Sequence, residues 1–283
     1  MKIAIVGLGA IGSTFAFHLA RAGHEVTVVA RGARLAQLEK DRAIVTTEDA
    51  RAPVTVSAAL DTSTVWDLVL VTVLDFQVDA LLPVLRESAA KQVMFMFNTF
   101  APLDRLRDAV GPHRFAFGFP AILAELKDGK LKSYVVRRGM ITPVTDPAWA
   151  ERFARADIPA ETQADMHSWL RTHAALVVPL MLTAHQVHAR GRGLSWAESR
   201  AIAAGLREGF ELVRSLGHPL TPSSVAALGQ LPMPALALGV WLFSRNATVD
   251  SMGAQSPREA HALLEDMIAT APARTPRLQS LRP

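Results

Sequence analysis

Short apolar runs alternate with amphipathic stretches through the first half of the chain, and the second half is amphipathic almost throughout. KIAIV after Met1, Glu25–Ala30, Asp67–Val73 (DLVLVTV), Val93–Phe97 and Phe115–Phe119 are nearly continuous apolar runs. Such runs suit strands of a parallel sheet covered on both faces. Between them the spacing predicts helices after Gly12, over Ala33–Lys40, Gln77–Ser88 and Pro102–Val110, with Pro102 suited to a first turn. Ala43–Thr46 with Val54–Val56, and Leu131–Arg137 with Met140–Val144 across Arg138-Gly139, read as hairpins, the second at the sheet edge. Beyond a loop at Asp157-Ile158-Pro159 the periodicity becomes helical: Asp165–Arg190, Ser195–Leu216, Pro222–Gly229, Pro234–Phe243 and Pro257–Thr270. Ser195 with Glu198 has the spacing of a capping box, and Gly217 suits a helix stop. The tail Ala271–Pro283 is polar and proline-containing, which predicts loose order. No internal repeat is present. The expected architecture is α/β: a doubly wound sheet over residues 1–164, then an all-helical domain over 165–283.

The first strand runs directly into Gly7, Leu8, Gly9, Ala10, Ile11 and Gly12, and a second strand ends at Arg31. G-x-G-x-x-G alone is a weak signal. Here it follows an apolar strand, opens a helix and returns to a strand within about 30 residues, the context of a dinucleotide-binding fingerprint in a Rossmann-type fold. Gly7 permits the tight turn, Gly9 lets the backbone approach a pyrophosphate, and Gly12 lets helix and strand pack closely. The unpaired N–H groups of the first helical turn, with the positive end of the helix dipole, would face the phosphates.

At 283 residues the chain is long for one core, consistent with two domains. No apolar run reaches the roughly 18 residues of a membrane span; Leu231–Phe243 comes nearest and carries Pro232 and Pro234. Met1-Lys2-Ile3 enters a strand at once, which predicts no signal peptide, and there are no cysteines to form disulfides, thiolates or Cys-ligated zinc. A cytoplasmic protein without membrane association is the expectation. Thirty basic against 26 acidic residues give +4, without a basic stripe of the kind that binds nucleic acid. A homodimer through the apolar helical half is compatible with its composition. Nothing after Lys132 is lysine.

A strand-two end that binds NAD ordinarily carries Asp or Glu for the ribose 2′-hydroxyl. Here it reads Val29-Ala30-Arg31-Gly32, with Arg34 close behind, and a guanidinium suits a 2′-phosphate, so NADP(H) is the expected cofactor. Ligands of open α/β sheets bind outside the carboxyl ends of the strands, which singles out Val73, Asp75 and Asn98. Asp75 reads as a helix cap. Asn98 fits a carboxamide or ribose contact, and equally a turn or N-cap before Pro102. Any acid or base must come from the helical half, where Trp169-Leu170-Arg171-Thr172-His173 precedes an apolar stretch. His173 suits a proton donor near neutral pH, and Arg171 a carboxylate anchor. His185 and His188 lie three apart, but no third ligand accompanies them, and no metal is expected. Glu259, His261, Glu265 and Asp266 on the last long helix read mostly as solvated charges.

The chain resembles the ketopantoate reductase (2-dehydropantoate 2-reductase) family. The likeness is carried by KIAIVGLGAIG, by Arg31, by DLVLVTV with Gln77 and Val78, by Asn98 and by the FGFPA…DGKL region. It extends weakly to a helical half opening near Trp169 and a final helix near Pro257. The resemblance implies a Rossmann domain plus a helical domain, and reduction of a small 2-oxo acid substrate with NADPH in a cleft between them. It also implies departures. The family's catalytic lysine follows a tryptophan on the first long helix, where this chain has Arg171 and His173. A second family lysine falls at Leu74, the family's Asn-Gly reads Asn98-Thr99, and an asparagine falls at Ala174 or Ala175. The family's substrate-binding glutamate maps to Glu259 and a nearby serine to Ser251. Arginine does not hand over a proton as lysine does. Reduction of ketopantoate by the family's own donor is therefore not expected, whereas NADPH-dependent reduction of another carbonyl or imine is, with His173, Arg171 and Glu259 as the polar groups. A non-catalytic NADP(H)-binding or sensing protein is the alternative.

Overall fold

The computed structural model describes residues 1–253 and 257–282, with the side chain of Ser251 outside the described set. The chain forms two compact units, Met1–Asn98 with Pro102–Met166, and Thr99–Ala101 with His167–Pro283. The division follows Met166 rather than residue 164, and Thr99–Ala101 belongs with the helices.

The first unit opens with β1 (Lys2–Val6), α1 (Ala10–Arg21), β2 (Glu25–Val29) and α2 (Gly32–Asp41). Its eight-stranded sheet runs in the order 160–162, 142–144, 115–118, 93–96, 68–71, β1, β2, 55–57. Every pairing is parallel except that of Thr142–Val144 with Phe115–Gly118. From β1 the chain builds outward through β2, then returns to lay Leu68–Val71 on the other side of β1. The loop after β1 therefore sits where the strand order reverses, the ligand-binding position of open α/β sheets. Burial on both faces explains the unbroken apolar runs. Ile3, Ile5, Leu68, Leu70, Met94 and Met96 pack in one core with Phe15 and Leu19 of α1 and with Trp149 and Phe153. Phe95, on the opposite pleat, lies against Phe97 and Phe117.

Two hairpins differ from the sequence expectation. Ala43–Val45 pairs with Arg51–Pro53, while Thr55–Ser57 joins the main sheet beside β2. Lys130–Val135 pairs backward with Ile122–Lys127, and Thr142–Val144 enters the main sheet. The turn between the paired strands is Asp128-Gly129, with φ of +49° and +76°, two successive left-handed residues that match the twist of a two-residue hairpin. The helix Pro147–Arg155 and the strand Ala160–Thr162 were not anticipated; Asp146 caps the helix through Ala148 N and Trp149 N.

The second unit is helical. Met166–Arg190 and Trp196–Ser215 are its longest elements, followed by Ser223–Leu228, Met233–Phe243, Ala247–Gly253 and Arg258–Thr270. The capping box is present: Ser195 Oγ accepts from Glu198 N, and Glu198 Oε2 from Ser195 N. The tail is ordered, contrary to expectation. Pro276–Gln279 is helical, Leu278 and Leu281 are buried in the helical core, and Glu208 accepts hydrogen bonds from Arg277 N and Leu278 N. Among the described residues, no helix is long and apolar enough to cross a membrane.

Candidate functional site

The glycine loop is built by close backbone contacts. Gly7 has φ +100°, and a Cβ there would lie 2.8 Å from Val73 Cγ1 and 2.9 Å from Val73 N. A Cβ on Gly12 would land on Gly7 O and 2.5 Å from Thr72 Oγ1. Thr72 closes this contact by donating its hydroxyl to Gly7 O at 2.6 Å and its amide to Val6 O at 2.9 Å. Gly9 is different: its φ is −68°, and nothing lies within 4 Å of a Cβ built on it. It precedes the first residue of α1 and its carbonyl accepts from Ser13 N at 3.0 Å, which leaves the amides of the first turn without partners inside the helix. Tight packing at Gly7 and Gly12, with open space at Gly9, fits a pyrophosphate approaching the N-terminus of α1.

A cleft of about 500 Å³ adjoins this loop, lined among others by Gly7, Leu8, Arg31, Leu60, Val73 and Gln77. Leu8 is buried, and Ala10 and Ile11 begin α1. Arg31 precedes the first residue of α2, exposed, and its side chain makes no hydrogen bond or ion pair among the described residues. Arg34, its neighbour in the sequence, is half-buried and held. Its Nε donates to Leu8 O at 3.2 Å, Nη1 to Gln37 Oε1 and Gly129 O at 2.9 Å each, and Nη2 to Ser13 Oγ at 2.8 Å. Burial draws its pKa below the ordinary arginine value, with Asp41 opposing the shift.

At the neighbouring strand end, Leu74 precedes a short helix and its amide donates to Gln77 Oε1 at 3.1 Å. Asp75 is the first residue of that helix and pairs with Arg105. Asn98 is buried and its Oδ1 has no hydrogen-bond partner among the described residues. An orphaned buried acceptor costs about 1–3 kcal/mol, so this oxygen suits a ligand donor.

In the helical unit, Trp169, Arg171 and His173 share the first turns of Met166–Arg190. All three are buried. The His173 ring stacks on Trp169 with centroids 4.9 Å apart and planes 8° apart, as an i, i+4 pair allows. Burial pushes the His173 pKa down to about 4. Burial thus favours the uncharged imidazole at neutral pH. Arg171 donates Nε to Phe100 O at 3.2 Å, lies 5.6 Å from the Phe100 ring centroid and bonds through Nη1 to His218 Nε2. Because the guanidinium only donates, His218 Nε2 accepts and the proton sits on Nδ1, which meets Ser168 Oγ at 3.0 Å. Sequence reasoning passed over His218; its contact with Arg171 spans 47 positions, and no local pattern announces it.

Glu259 lies in the first turn of Arg258–Thr270. The residue reaches solvent, yet crowding around its carboxyl raises the carboxyl pKa by desolvation. Ser251, the family's mapped serine, lies outside the described side chains. His188 pairs with Asp250 at 3.0 Å, and the His185 ring lies 6.4 Å from that of His261. No group of three or more potential metal ligands gathers among the described residues.

A parallel doubly wound sheet with an open glycine loop at its switch point defines the first unit as a Rossmann-type fold. Residues 3–140 match the family described as Ketopantoate reductase PanE/ApbA. The chain is 32% identical over 136 residues to a 2-dehydropantoate 2-reductase of Vibrio cholerae, a match spanning 47% of this chain and 42% of that protein. The match thus covers less than half the length of that relative. Among solved structures, a PanE/ApbA family ketopantoate reductase from Ralstonia eutropha superposes with TM-score 0.74 at 22% identity, covering 99% of this chain and 96% of the other. D-mandelate dehydrogenase in complex with NADH gives TM-score 0.72 at 16% identity, covering 99% and 96%. At these identities the likeness is one of fold.

Proposed function

We propose that this chain is an NADP(H)-dependent oxidoreductase reducing a small carbonyl compound, a 2-oxo acid or ketone, or an imine. The observation that carries the reading is the exposed Arg31 guanidinium at a cleft whose glycine loop is open at Gly9. In this reading the amides of Gly9, Ala10, Ile11 and Gly12 bind pyrophosphate and Arg31 binds the 2′-phosphate. Val73 packs against the nucleotide, and Asn98 Oδ1 accepts from the ribose or carboxamide. The nicotinamide supplies hydride when bound. Arg171 holds a substrate carboxylate, neutral His173 donates a hydrogen bond that orients the carbonyl, and Glu259 holds the remainder of the substrate. A 2-oxo or 2-hydroxy acid is supported by the names of the relatives, a 2-dehydropantoate 2-reductase and a D-mandelate dehydrogenase. We further propose a cytoplasmic homodimer assembled through the helical unit. Purified protein is expected to oxidise NADPH with at least one member of a panel of 2-oxo acids, ketones and imines, and His173→Ala to abolish this. Unchanged turnover in that variant removes His173 from the site.

A second reading is a non-catalytic NADP(H)-binding or sensing protein. It is favoured by the absence of lysine after Lys132 and by the neutral state of His173. Tight NADPH binding without turnover across the panel selects it.

A further inference from the structure

We propose that Arg34 is a positioning residue for the phosphate-binding loop, holding the Leu8–Gly9 peptide and the start of α1 in the geometry that receives a pyrophosphate. The proposal rests on the cofactor reading above. Arg34 ties its own helix to two stretches remote from it in sequence: the glycine loop and start of α1, through Leu8 O and Ser13 Oγ, and the Asp128-Gly129 hairpin turn, through Gly129 O. Gln37, one turn along α2, accepts from Nη1 and steadies the guanidinium. The turn is pressed close, for a Cβ on Gly129 would land on the Gln37 amide. In a planar trans peptide the carbonyl and the following N–H point in opposite directions. Fixing Leu8 O by a charge-assisted bond therefore fixes the direction of the Gly9 amide, the group that adjoins the open side of the loop. Ser13 makes the first backbone bond of α1, to Gly9 O, so holding its side chain holds the same turn from the helix side.

The arginine fork suits this task and a lysine does not. Its planar donors reach Leu8, Ser13 and Gly129 at once from a partly buried stem, whereas an ammonium is a compact point charge. The two neighbouring arginines thereby divide the labour: Arg31 is exposed at the cleft, and Arg34 is committed to backbone and side-chain acceptors behind the loop. Arg34 thus affects NADPH and NADH alike, and it acts on phosphate rather than on adenine.

The test measures binding of NADPH, NADH, ADP and adenosine to the full-length wild type and to Arg34→Ala, Arg34→Lys and Ser13→Ala. Calorimetry serves the nucleotides and ligand-observed NMR serves adenosine. Expected is a weakening of about tenfold for NADPH, NADH and ADP in both Arg34 variants, by a common factor, and a smaller loss in Ser13→Ala. Adenosine binding stays unchanged. Amide exchange at residue 13, whose N–H bonds Gly9 O, accelerates in the free Arg34→Lys and Ser13→Ala proteins, a readout that survives if Arg34→Ala does not fold. Wild-type affinity in Arg34→Lys, a changed NADPH-to-NADH ratio, or an equal loss of adenosine binding overturns the proposal. A wild type that binds none of the four ligands overturns the cofactor reading instead.

Discussion

The imidazole of His173 lies flat on the indole of Trp169, 4.9 Å between centroids and 8° between planes, in a buried part of the helical unit. Burial lowers its pKa from 6.5 to about 4. The folded state thus prefers the neutral ring, and the unfolded chain binds a proton that the folded chain refuses between those values. Stability from this site is complete above about pH 6.5 and is lost as pH falls toward 4, a change on the order of 3 kcal/mol. His173→Phe keeps an aromatic ring on Trp169 and removes the titration. Urea midpoints measured between pH 4 and 8 should fall on the acid side more steeply for wild type than for His173→Phe. Parallel curves would show that the ring titrates normally.

Arg31 is exposed at the cleft, and Arg34, the next cation along α2, is already bonded to four acceptors. In the proposed cofactor reading, discrimination for a 2′-phosphate therefore falls to Arg31. Arg31→Ala is expected to weaken NADPH binding about 10- to 150-fold, the worth of a charged hydrogen bond, and to leave NADH binding nearly unchanged. Fluorescence titration with both cofactors measures it. Equal effects on the two would assign Arg31 to the shared part of the nucleotide.

The glycine loop and the buried strands were legible because their causes are local: a tight turn, a helix start, and apolar runs covered on both faces. The hairpins were misread because alternation in Leu131–Val144 fits more than one register, and the decisive Asp128-Gly129 turn lies just outside it. The contacts of Arg34 and His218 were illegible for another reason. Arg34 meets Gly129 across 95 positions and His218 meets Arg171 across 47, and no spacing rule reaches so far. The sequence placed His173 on the right helix, but its protonation state depends on burial.

Gly9 and Gly12 should respond to the same substitution in opposite ways. Gly9 has an ordinary φ and open space at its Cβ position, so Gly9→Ala is expected to keep wild-type thermal stability while NADPH affinity drops at least tenfold, because the methyl occupies the approach to the pyrophosphate. A Cβ on Gly12 meets Gly7 O and Thr72 Oγ1, so Gly12→Ala should cost about 1–3 kcal/mol of stability as well as nucleotide binding. Thermal melts with and without NADPH separate the two. A Gly9→Ala protein that still binds with wild-type affinity would place the pyrophosphate elsewhere.

The carboxyl-terminal segment behaves as core rather than as a trailing end. Leu278 is fully buried and Leu281 nearly so, and Leu281 fills the notch left by Gly205, where a Cβ would lie 2.6 Å from Leu281 Cδ1. Glu208, one turn further along the same helix, accepts from the amides of Arg277 and Leu278, so its carboxylate caps the start of Pro276–Gln279. Leu278→Ala should cost about 2–5 kcal/mol, as deletion of a buried leucine does. Glu208→Gln should cost less, because one amide oxygen still accepts. Gly205→Ala should destabilise comparably to a core overpacking, since the new methyl competes with Leu281 for one space. Urea denaturation of the three variants checks this, and a Leu278→Ala protein as stable as wild type would show the tail detached in solution. The polar composition of 271–283 hid this docking, for two leucines three apart give too short a pattern to announce a helix, and the notch that receives them is set by a glycine some 75 positions earlier.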